Sequence, residues 1–202
     1  VLVGDQYKSK DSGKNSSYDV YKIPYLFNGT TILKATSEFT EDYTKEIYPS
    51  YDEYTTSISS YDIKFAEDKI NGLKDQAKKD VTEFFDAAQK KSDFSTVSDK
   101  FTSDMQSSAK STYNGYVDTF KSTYKQISNF KITTLNPSMS DTTFRVDSND
   151  GCPTIKVGYK ISYSYTYKYS SDTKSHERND SKSSAYVYYK YADGQWKISS
   201  MG

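Results

Sequence analysis

The sequence predicts an α+β fold: a small β-rich N-terminal domain, then a cone-shaped domain of about three helices packed on a curved antiparallel sheet. Residues 154–170 alternate strictly between apolar or aromatic side chains and Lys, Ser, Thr or Gly, as a strand with one buried face does. Residues 70–88 carry apolar side chains at spacings of three and four, the period of an amphipathic helix. The dipeptide Asp193-Gly194, between two alternating runs, is typical of a tight antiparallel hairpin. An aromatic sheet face of this kind is expected to be buried against the helices.

The small β-rich domain is predicted to span residues 1–65. Its segment 20–27 is apolar and aromatic but contains a proline, which favours an edge strand because proline cannot donate to a neighbouring strand. Asn28-Gly29 predicts a hairpin turn, and the segment 30–36 after it has a strand-like composition.

The remainder of this domain contains an acidic stretch, residues 38–53, and a predicted strand, residues 55–65. The acidic stretch is interpreted as a solvated edge, because charge runs usually face water. A calcium site is the alternative, although the spacing of the acidic residues matches no calcium-loop template.

The second domain, residues 66–202, is predicted to begin with three helices. The first covers residues 70–88, and the cap-forming side chains at 92–96 then interrupt the pattern. Apolar residues within 97–105 are expected to begin a second helix. An aromatic stripe within 107–125 predicts further helix, and the residues leave open whether this segment is one helix or two.

A meander of about four strands is predicted to follow the helices. Its turns are expected at 136–138 and 149–151, and the segment 171–184 should be an exposed loop because it has no large apolar residue. The strands are predicted at residues 130–135, 143–146, 154–170 and 185–191, with the last forming the hairpin to the C-terminus. The long strand would reach roughly 50 Å at about 3.3 Å per residue, so it should bend, with Gly158 as the expected kink.

The two-residue turn fixes the register of the last hairpin. It pairs Tyr191 with Trp196 and Tyr189 with Ile198, and directly paired residues share a face. These side chains should therefore point inward together. Lys190 is predicted to lie opposite Lys197 on the outer face, where solvent makes the like charges tolerable.

The composition excludes several classes of function. Charged residues make up 27% of the chain and cancel to a net charge of zero, which is not the basic footprint of a nucleic-acid-binding protein. The single cysteine, Cys152, excludes an internal disulfide and a cysteine-based zinc site. No stretch has the 18 or more apolar residues of a membrane helix. The chain begins at Val1 without a methionine, so a fragment is expected whose membrane attachment lies in the missing part.

The amphipathic helix INGLKDQAKKDVTEFFDAAQKKSDFSTV and the C-terminal YVYYKYADGQWKIS resemble the cone-shaped α+β fold of ketosteroid isomerase and nuclear transport factor two. The order of a small β domain, YLFNGTTILKATSEF to SYDIKFAED, before such a cone is similar to the extracellular part of the TcaA/YvbJ family of Gram-positive bacteria. This resemblance implies a membrane-anchored, cell-surface envelope protein with links to peptidoglycan and to glycopeptide antibiotic response. It transfers no catalytic motif.

Catalytic residues are not evident, and the chain is predicted to be neither an enzyme nor a cofactor- or metal-binding protein. His176, the only histidine, lies in a polar segment, where it is expected to be a surface residue. Cys152 has no partner histidine in a plausible position. An isomerase-like enzyme needs a carboxylate inside the cone, and the inward positions assigned to the sheet hold none. Asp86 on the first helix is interpreted as a rim or surface residue.

Two aromatic surfaces are candidate binding sites. The inward face offers Tyr159, Tyr163, Tyr189 and Trp196 for stacking on sugar rings, although core packing against the helices is the usual meaning of a one-sided aromatic strand. The outer face offers Tyr186 and Tyr188 beside Lys190 and Lys197, and is predicted to meet an anionic wall polymer or an envelope protein.

The expected function is therefore a non-catalytic extracellular module that binds cell-wall glycan, a lipid-linked precursor or a partner protein. Two alternatives remain open. One is a small-molecule-binding or degenerate enzyme cone, which a deep cavity with a buried ionisable group would favour. The other is a structural stalk that spaces an upstream domain from the membrane.

Overall fold

A computed structural model describes residues 29–49, 56–59, 61–70, 72–139, 144–147 and 149–202. In chain order these residues form β1 (Thr31–Ala35), β2 (Tyr43–Ile47), α1 (Glu67–Ile70), α2 (Gly72–Gln89), two single-turn 3-10 helices (Phe94–Thr96 and Ser98–Lys100), α3 (Gln106–Lys121), β3 (Lys125–Met139), β4 (Arg145–Val146), β5 (Pro153–Tyr169), β6 (His176–Ala192) and β7 (Gln195–Met201).

The α+β class is confirmed, and the body of the protein is dominated by its sheet. Strands β3, β5, β6 and β7 are hydrogen-bonded in that order, all antiparallel, and β4 extends the β3 side by pairing with the start of β5. A second sheet contains only β1 and β2. Helices α2 and α3 pack on one side of the large sheet, because their apolar stripes and its aromatic face bury each other.

The long strand β5 follows the predicted alternation but is buried only along its first half. Ile155, Val157, Tyr159 and Ile161 are buried in the core, whereas every residue from Ser162 to Tyr169 is only partly buried. The second half therefore extends past the helices while remaining paired with β3 and β6.

Irregular pairing around β5 lies in its neighbours and not at Gly158, which pairs regularly with Ser138 and Tyr186. On β6, Ser183 and Ser184 together lie opposite Lys160. On β3, pairing shifts between Ser128 and Lys131 and again between Ile132 and Thr134. The irregularity predicted at Gly158 is thus wrong, since the bulges lie on the flanking strands.

Helix α2 is the helix predicted for residues 70–88, and it is preceded by the short α1. The predicted second helix within 97–105 is wrong: the 3-10 turn Ser98–Lys100 lies there, after the first 3-10 turn at Phe94–Thr96. Asp93 caps the first turn by accepting a hydrogen bond from the Ser95 amide at 2.9 Å. The spacing of Val97, Phe101 and Met105 suggested a helix, but tight turns bury Val97 and Phe101 here instead. Residues 106–121 form one continuous helix, α3.

Two loops predicted from polar composition are strands. The segment 171–184 was expected to be exposed loop, but β6 begins at His176 and pairs with β5 from there onward. Its polar side chains do not prevent this, because the backbone hydrogen bonds of a strand need no apolar face. Residues 136–138 likewise continue β3, where Pro137 is tolerated on an outer strand of the sheet.

In the N-terminal part, the strand expected within 30–36 is confirmed as β1. It pairs with β2, which lies in the acidic stretch interpreted as an edge. The strand predicted at 55–65 is wrong for the described residues there: 56–59 are irregular, Tyr61 and Asp62 form a turn, and Lys64 and Phe65 make isolated bridges, that of Phe65 with Thr40. The segment 20–27 and Asn28 lie outside the described residues.

Phe39 connects the small sheet to the large one. Its ring contacts Tyr191 at 4.5 Å and Trp196 at 5.2 Å between centroids, and it belongs to the same apolar cluster as the residues under α2. The boundary at residue 65 stays a prediction. Among the described residues, no helix is long and apolar enough to cross a membrane.

Candidate functional site

A cavity of about 330 Å³ lies between the helices and the sheet, beside the point where β5 leaves the core. Aromatic and aliphatic side chains form most of its wall. The lining residues are Phe85, Thr112, Tyr116, Thr119, Phe120, Lys125, Ile127, Phe130, Tyr159, Ile161, Tyr163, Tyr165, Lys182, Ala185, Met201 and Gly202. This volume falls at the lower end of the range typical of small-molecule pockets.

Strands β3 and β5 and helix α3 supply most of the cavity wall, and α2, β6 and β7 complete it. Strand β5 presents alternate residues, from Tyr159 to Tyr165. Helix α3 presents Thr112, Tyr116 and Thr119, which share a face at spacings of four and three. Phe130 comes from the bulged part of β3, directly after Asn129, whose φ of 53° is the left-handed conformation that asparagine tolerates.

The charged side chains of the lining are both lysines, Lys125 and Lys182, and the lining includes no carboxylate or histidine. Burial, with a smaller contribution from Tyr116, raises the pKa of Tyr159 to about 12. Burial, and then the nearby Asp180 carboxylate, also raises the pKa of Tyr163. Both phenols therefore stay neutral at physiological pH and can donate or accept hydrogen bonds.

The buried carboxylate of Asp80 was missed by the sequence reasoning. It is 4% exposed on the inner face of α2, accepts a hydrogen bond from the Tyr189 hydroxyl at 2.8 Å and pairs with Lys100 at 2.8 Å. The signal was present, since Asp80 lies three residues after Ala77 and four before Phe84 on one helical stripe. Asp80 does not line the cavity.

Asp80, Glu83, Lys100 and Tyr189 form a cluster in which the charges of the lysine and the two acids compensate each other. Burial works to lower the pKa of Lys100, but hydrogen bonds to Asp80 and Glu83 outweigh it and raise that pKa above 10.5. The same lysine lowers the pKa of Glu83. Burial, followed by the Asp80 charge, raises the pKa of Tyr189 far above its ordinary value. The cluster is a satisfied ion pair with a neutral phenol, which suits a structural role.

The inward candidate residues separate into two groups. Tyr159 and Tyr163 lie in the cavity wall. Tyr189 is fully buried beside Asp80, and Trp196 packs against Phe39 and Tyr191, so neither of these two lines the cavity. The hairpin that was predicted to pair Tyr189 with Ile198 and Tyr191 with Trp196 is confirmed.

On the outer face, the prediction that Lys190 is solvated is wrong. Lys190 does lie opposite Lys197, but it is 6% exposed and pairs with Asp147 at 3.0 Å and with Asp150. Both carboxylates belong to the turn before β5, which folds over the lysine. Asp147 and Asp150 compensate the positive charge of Lys190, which reduces its repulsion with the neighbouring Lys197.

The rest of the outer face keeps its aromatic and basic character. Lys156 Nζ lies 5.2 Å from the centroid of the Tyr186 ring and 5.9 Å from that of Tyr188, within cation–π range. A hollow of about 200 Å³ beside them is lined by Lys156, Lys160, Tyr186 and small residues of β3, β5 and β6. Lys197 is partly exposed nearby on β7.

His176 and Cys152 take part in local contacts. The His176 ring stacks on Tyr167 at 5.3 Å between centroids, and its Nε2 lies 3.3 Å from Asp172. Burial, with the Asp150 carboxylate, raises the pKa of the Cys152 thiol and so disfavours the nucleophilic thiolate. In the part of the chain that the structure describes, no three His, Cys, Asp or Glu residues are grouped to hold a metal ion.

Replacing Lys190 with methionine is expected to lower the melting temperature by about 2–4 °C at neutral pH. Hydrogen bonding to Lys190 lowers the pKa of Asp150, and the Asn149 amide followed by Lys190 lowers that of Asp147. Because both carboxyl pKa values are lowered on folding, the two carboxylates stabilise the fold at pH values above their ordinary pKa of 3.8. This stabilisation is lost as the pH falls through the pKa values of the folded state.

Hydrogen bonding to Asp150 raises the pKa of Lys190. The stabilisation that the charged lysine gives the fold is therefore fully present below pH 10.5 and is lost as the pH rises through the raised pKa. The melting temperatures of the unmodified protein and of Lys190→Met should therefore differ at neutral pH and converge in acid. Lys197→Met is the matched control and should change little. An unchanged difference in strong acid would contradict the ion-pair explanation.

No protein-family model matches the chain, and no curated protein matches it. One solved structure that matches is the intermembrane space region of the chloroplast protein ARC6. It shares 11% sequence identity with this chain at a TM-score of 0.36, over 64% of this chain and 94% of that chain. A similarity this low supports no conclusion about the function of the present protein.

Proposed function

We propose that this chain is a non-catalytic extracellular module of a membrane-anchored cell-envelope protein, and that its cavity binds the apolar part of a lipid-linked cell-wall precursor. The observation that carries the proposal is an aromatic-walled cavity whose lining contains two lysines and no carboxylate. The sequence resemblance to TcaA/YvbJ proteins supports the envelope setting. In this proposal a membrane segment outside the present sequence holds the module at the cell surface.

The wall of the cavity suits an apolar chain. Phe85, Phe120 and Phe130 form a connected group, with ring centroids 6.0 Å and 5.4 Å apart. Such rings offer a large apolar surface, and pockets of this kind bury most of a ligand while a few polar groups set its orientation. At about 330 Å³ the cavity holds a short end of a prenyl or acyl chain.

The two lysines give the cavity its preference for an anionic ligand. Lys125 begins β3, and Lys182 lies on β6 on the far side of β5. With no acid in the lining, an anion near either ammonium meets attraction without an opposing carboxylate. A phosphate that joins an apolar chain to a polar head group fits this arrangement, and its binding should weaken with salt.

A small-molecule-binding or degenerate enzyme cone is the second candidate, and the open cavity favours it. General acid–base chemistry requires a titratable group within hydrogen-bond reach of the substrate. The buried carboxylate, Asp80, is instead committed to Lys100 and Tyr189. The cavity therefore supports binding more directly than proton transfer.

Farnesyl diphosphate is a soluble probe that carries both features, an apolar chain and a phosphate group. We expect it to bind the chain in calorimetric titration, and Thr112→Trp to weaken that binding by about tenfold or more because the indole fills the cavity mouth. Ser111→Trp is the matched control, since Ser111 is exposed on the same helix but does not line the cavity.

Two comparisons complete the test. Farnesol should bind more weakly than the diphosphate, and only the diphosphate should lose affinity in high salt. Equal weakening by Thr112→Trp and Ser111→Trp would place the ligand elsewhere. Absence of any binding by farnesyl diphosphate would refute the proposal.

A further inference from the structure

Five tyrosines, two of which also line the cavity, form a continuous and partly exposed row, here termed the tyrosine ladder. Tyr163, Tyr165, Tyr167 and Tyr169 alternate along β5, with successive ring centroids 6.2, 6.0 and 5.6 Å apart. Tyr124, which is 69% exposed, extends the row at 5.4 Å from Tyr169. An aromatic row of this extent on the surface indicates an interaction site.

Core packing accounts for Tyr163, which packs against the apolar core, but not for the other four rings of the ladder. Its residues lie on the parity that is buried earlier in β5, but here the sheet continues past the helices and the rings remain partly exposed. The opposite face of this three-stranded extension carries polar and charged side chains: Ser162, Ser164 and Thr166 on β5, with Lys131 and Glu177 on the flanking strands. Stability alone would not require large rings on one side of such an extension.

Charges flank the ladder on both sides. From β3, Lys125 Nζ lies 5.5, 4.8 and 5.9 Å from the centroids of Tyr165, Tyr167 and Tyr169. On β6, Arg178 pairs in register with Tyr165 and so lies on the same face. Arg178 also pairs with Asp180 at 3.4 Å, which neutralises part of that charge. The ladder is thus an aromatic strip with a cationic edge.

The ladder and the cavity are continuous. Tyr163 and Tyr165 belong to the ladder and also line the cavity. Lys125 lines the cavity too, and it contacts the rings of Tyr167 and Tyr169, which lie outside the cavity. A ligand with its apolar end in the cavity and its phosphate beside Lys125 would therefore have its next part over Tyr167 and Tyr169.

We infer that the tyrosine ladder binds the sugar portion of the same ligand, a glycan joined through phosphate to an apolar chain. Flat aromatic rings stack on the apolar faces of sugar rings, and phenol hydroxyls hydrogen-bond to sugar hydroxyls. A row of rings suits a linear chain of sugars, and the cationic edge suits the adjoining phosphate. The inference rests on the proposed function, because it assigns the remainder of the ligand whose apolar end the cavity holds.

Two probes test this inference: farnesyl diphosphate, and farnesyl diphosphate whose terminal phosphate is esterified to N-acetylglucosamine. The sugar-linked probe carries one negative charge fewer, so any gain in its affinity comes from the sugar and not from added charge. Stacking on aromatic rings should make the sugar-bearing probe bind about tenfold more tightly, the effect of one good base–aromatic stack in nucleic-acid recognition. Tyr167→Ala should abolish this advantage and leave the affinity for farnesyl diphosphate within about twofold, because Tyr167 does not line the cavity.

Tyr167→Phe should retain most of the advantage, because it keeps the ring. Tyr188→Ala, on the outer face, is the matched control and should alter neither affinity. Equal binding of both probes by the unmodified chain overturns the inference but leaves the proposed function intact. A sugar advantage that survives Tyr167→Ala combined with Tyr169→Ala also overturns it. If neither probe binds, the proposed function and this inference both fall.

Discussion

Asp80→Ala is expected to destabilise the protein by about 3–5 kcal/mol, the usual cost of removing one partner from a buried ion pair. The Asp80 carboxylate accepts hydrogen bonds from Lys100 and from the Tyr189 hydroxyl, both at 2.8 Å. Without it, Lys100 keeps only Glu83, which is more exposed, and the fully buried phenol loses its acceptor. Urea denaturation followed by circular dichroism measures the change.

Two companion variants separate charge from packing at this position. Asp80→Asn keeps the shape and one acceptor oxygen, so it should recover part of the loss. Asp86→Ala alters an exposed carboxylate on the same helix and should cost little. If Asp80→Ala is no more destabilising than Asp86→Ala, the cluster does not stabilise the fold as described.

Phe84→Ala should cost about 3–5 kcal/mol, the range for removing a large aromatic side chain from a well-packed core. Phe84 is 1% exposed, and its ring contacts Phe85, Phe101, Tyr113 and Tyr116 at centroid distances from 5.3 to 6.1 Å. These neighbours belong to α2, α3 and the segment between them, so they cannot collapse together to fill the space.

Phe84→Leu is the informative comparison for this core position, because it keeps most of the volume and should cost clearly less. Tyr61→Ala removes an aromatic ring that is 77% exposed and should have little effect. The free energy of unfolding of all three variants, measured in urea, tests this order. A loss in Phe84→Ala no larger than in Tyr61→Ala would contradict the assigned core.

The most accurate sequence predictions concern segments whose local rules agree with one another. For the last hairpin, Asp193 and Gly194 adopt the positive φ values of 54° and 76° that the two-residue turn requires. The turn fixes the register, and the alternating aromatic residues select the buried face, so Tyr189 and Ile198 meet as expected. Helix α2 was predicted with equal accuracy, because its apolar residues recur consistently at spacings of three and four.

The errors occurred where composition was taken to determine secondary structure. Residues 176–184 are polar and were read as loop, but the neighbouring β5 provides hydrogen-bond partners for their backbone. The spacing of Val97, Phe101 and Met105 suggested a helix, although two tight turns, the first capped by Asp93, bury Val97 and Phe101. In both cases a partner distant in sequence, or a local cap, outweighed intrinsic preference.

The candidate site was only half predictable. Alternation along β5 identified Tyr159 and Tyr163, which do line the cavity. It assigned Tyr189 to the same face, but could not show that α2 covers Tyr189 and brings Asp80 to its hydroxyl. For Lys190, the alternation correctly predicted that the side chain lies on the outer face of the sheet. It could not predict that Asp147 and Asp150 bury that side chain.

The sequence by itself determined the α+β class, the α2 stripe, the alternation of β5 and the register of the final hairpin, because each follows from spacing within a few residues. The tertiary structure alone decided where the helices end against the sheet. That boundary separates the buried first half of β5 from its partly exposed second half, and the cavity lies where the two meet. The physical reason is that burial depends on which distant element covers a side chain, and local periodicity does not contain that information.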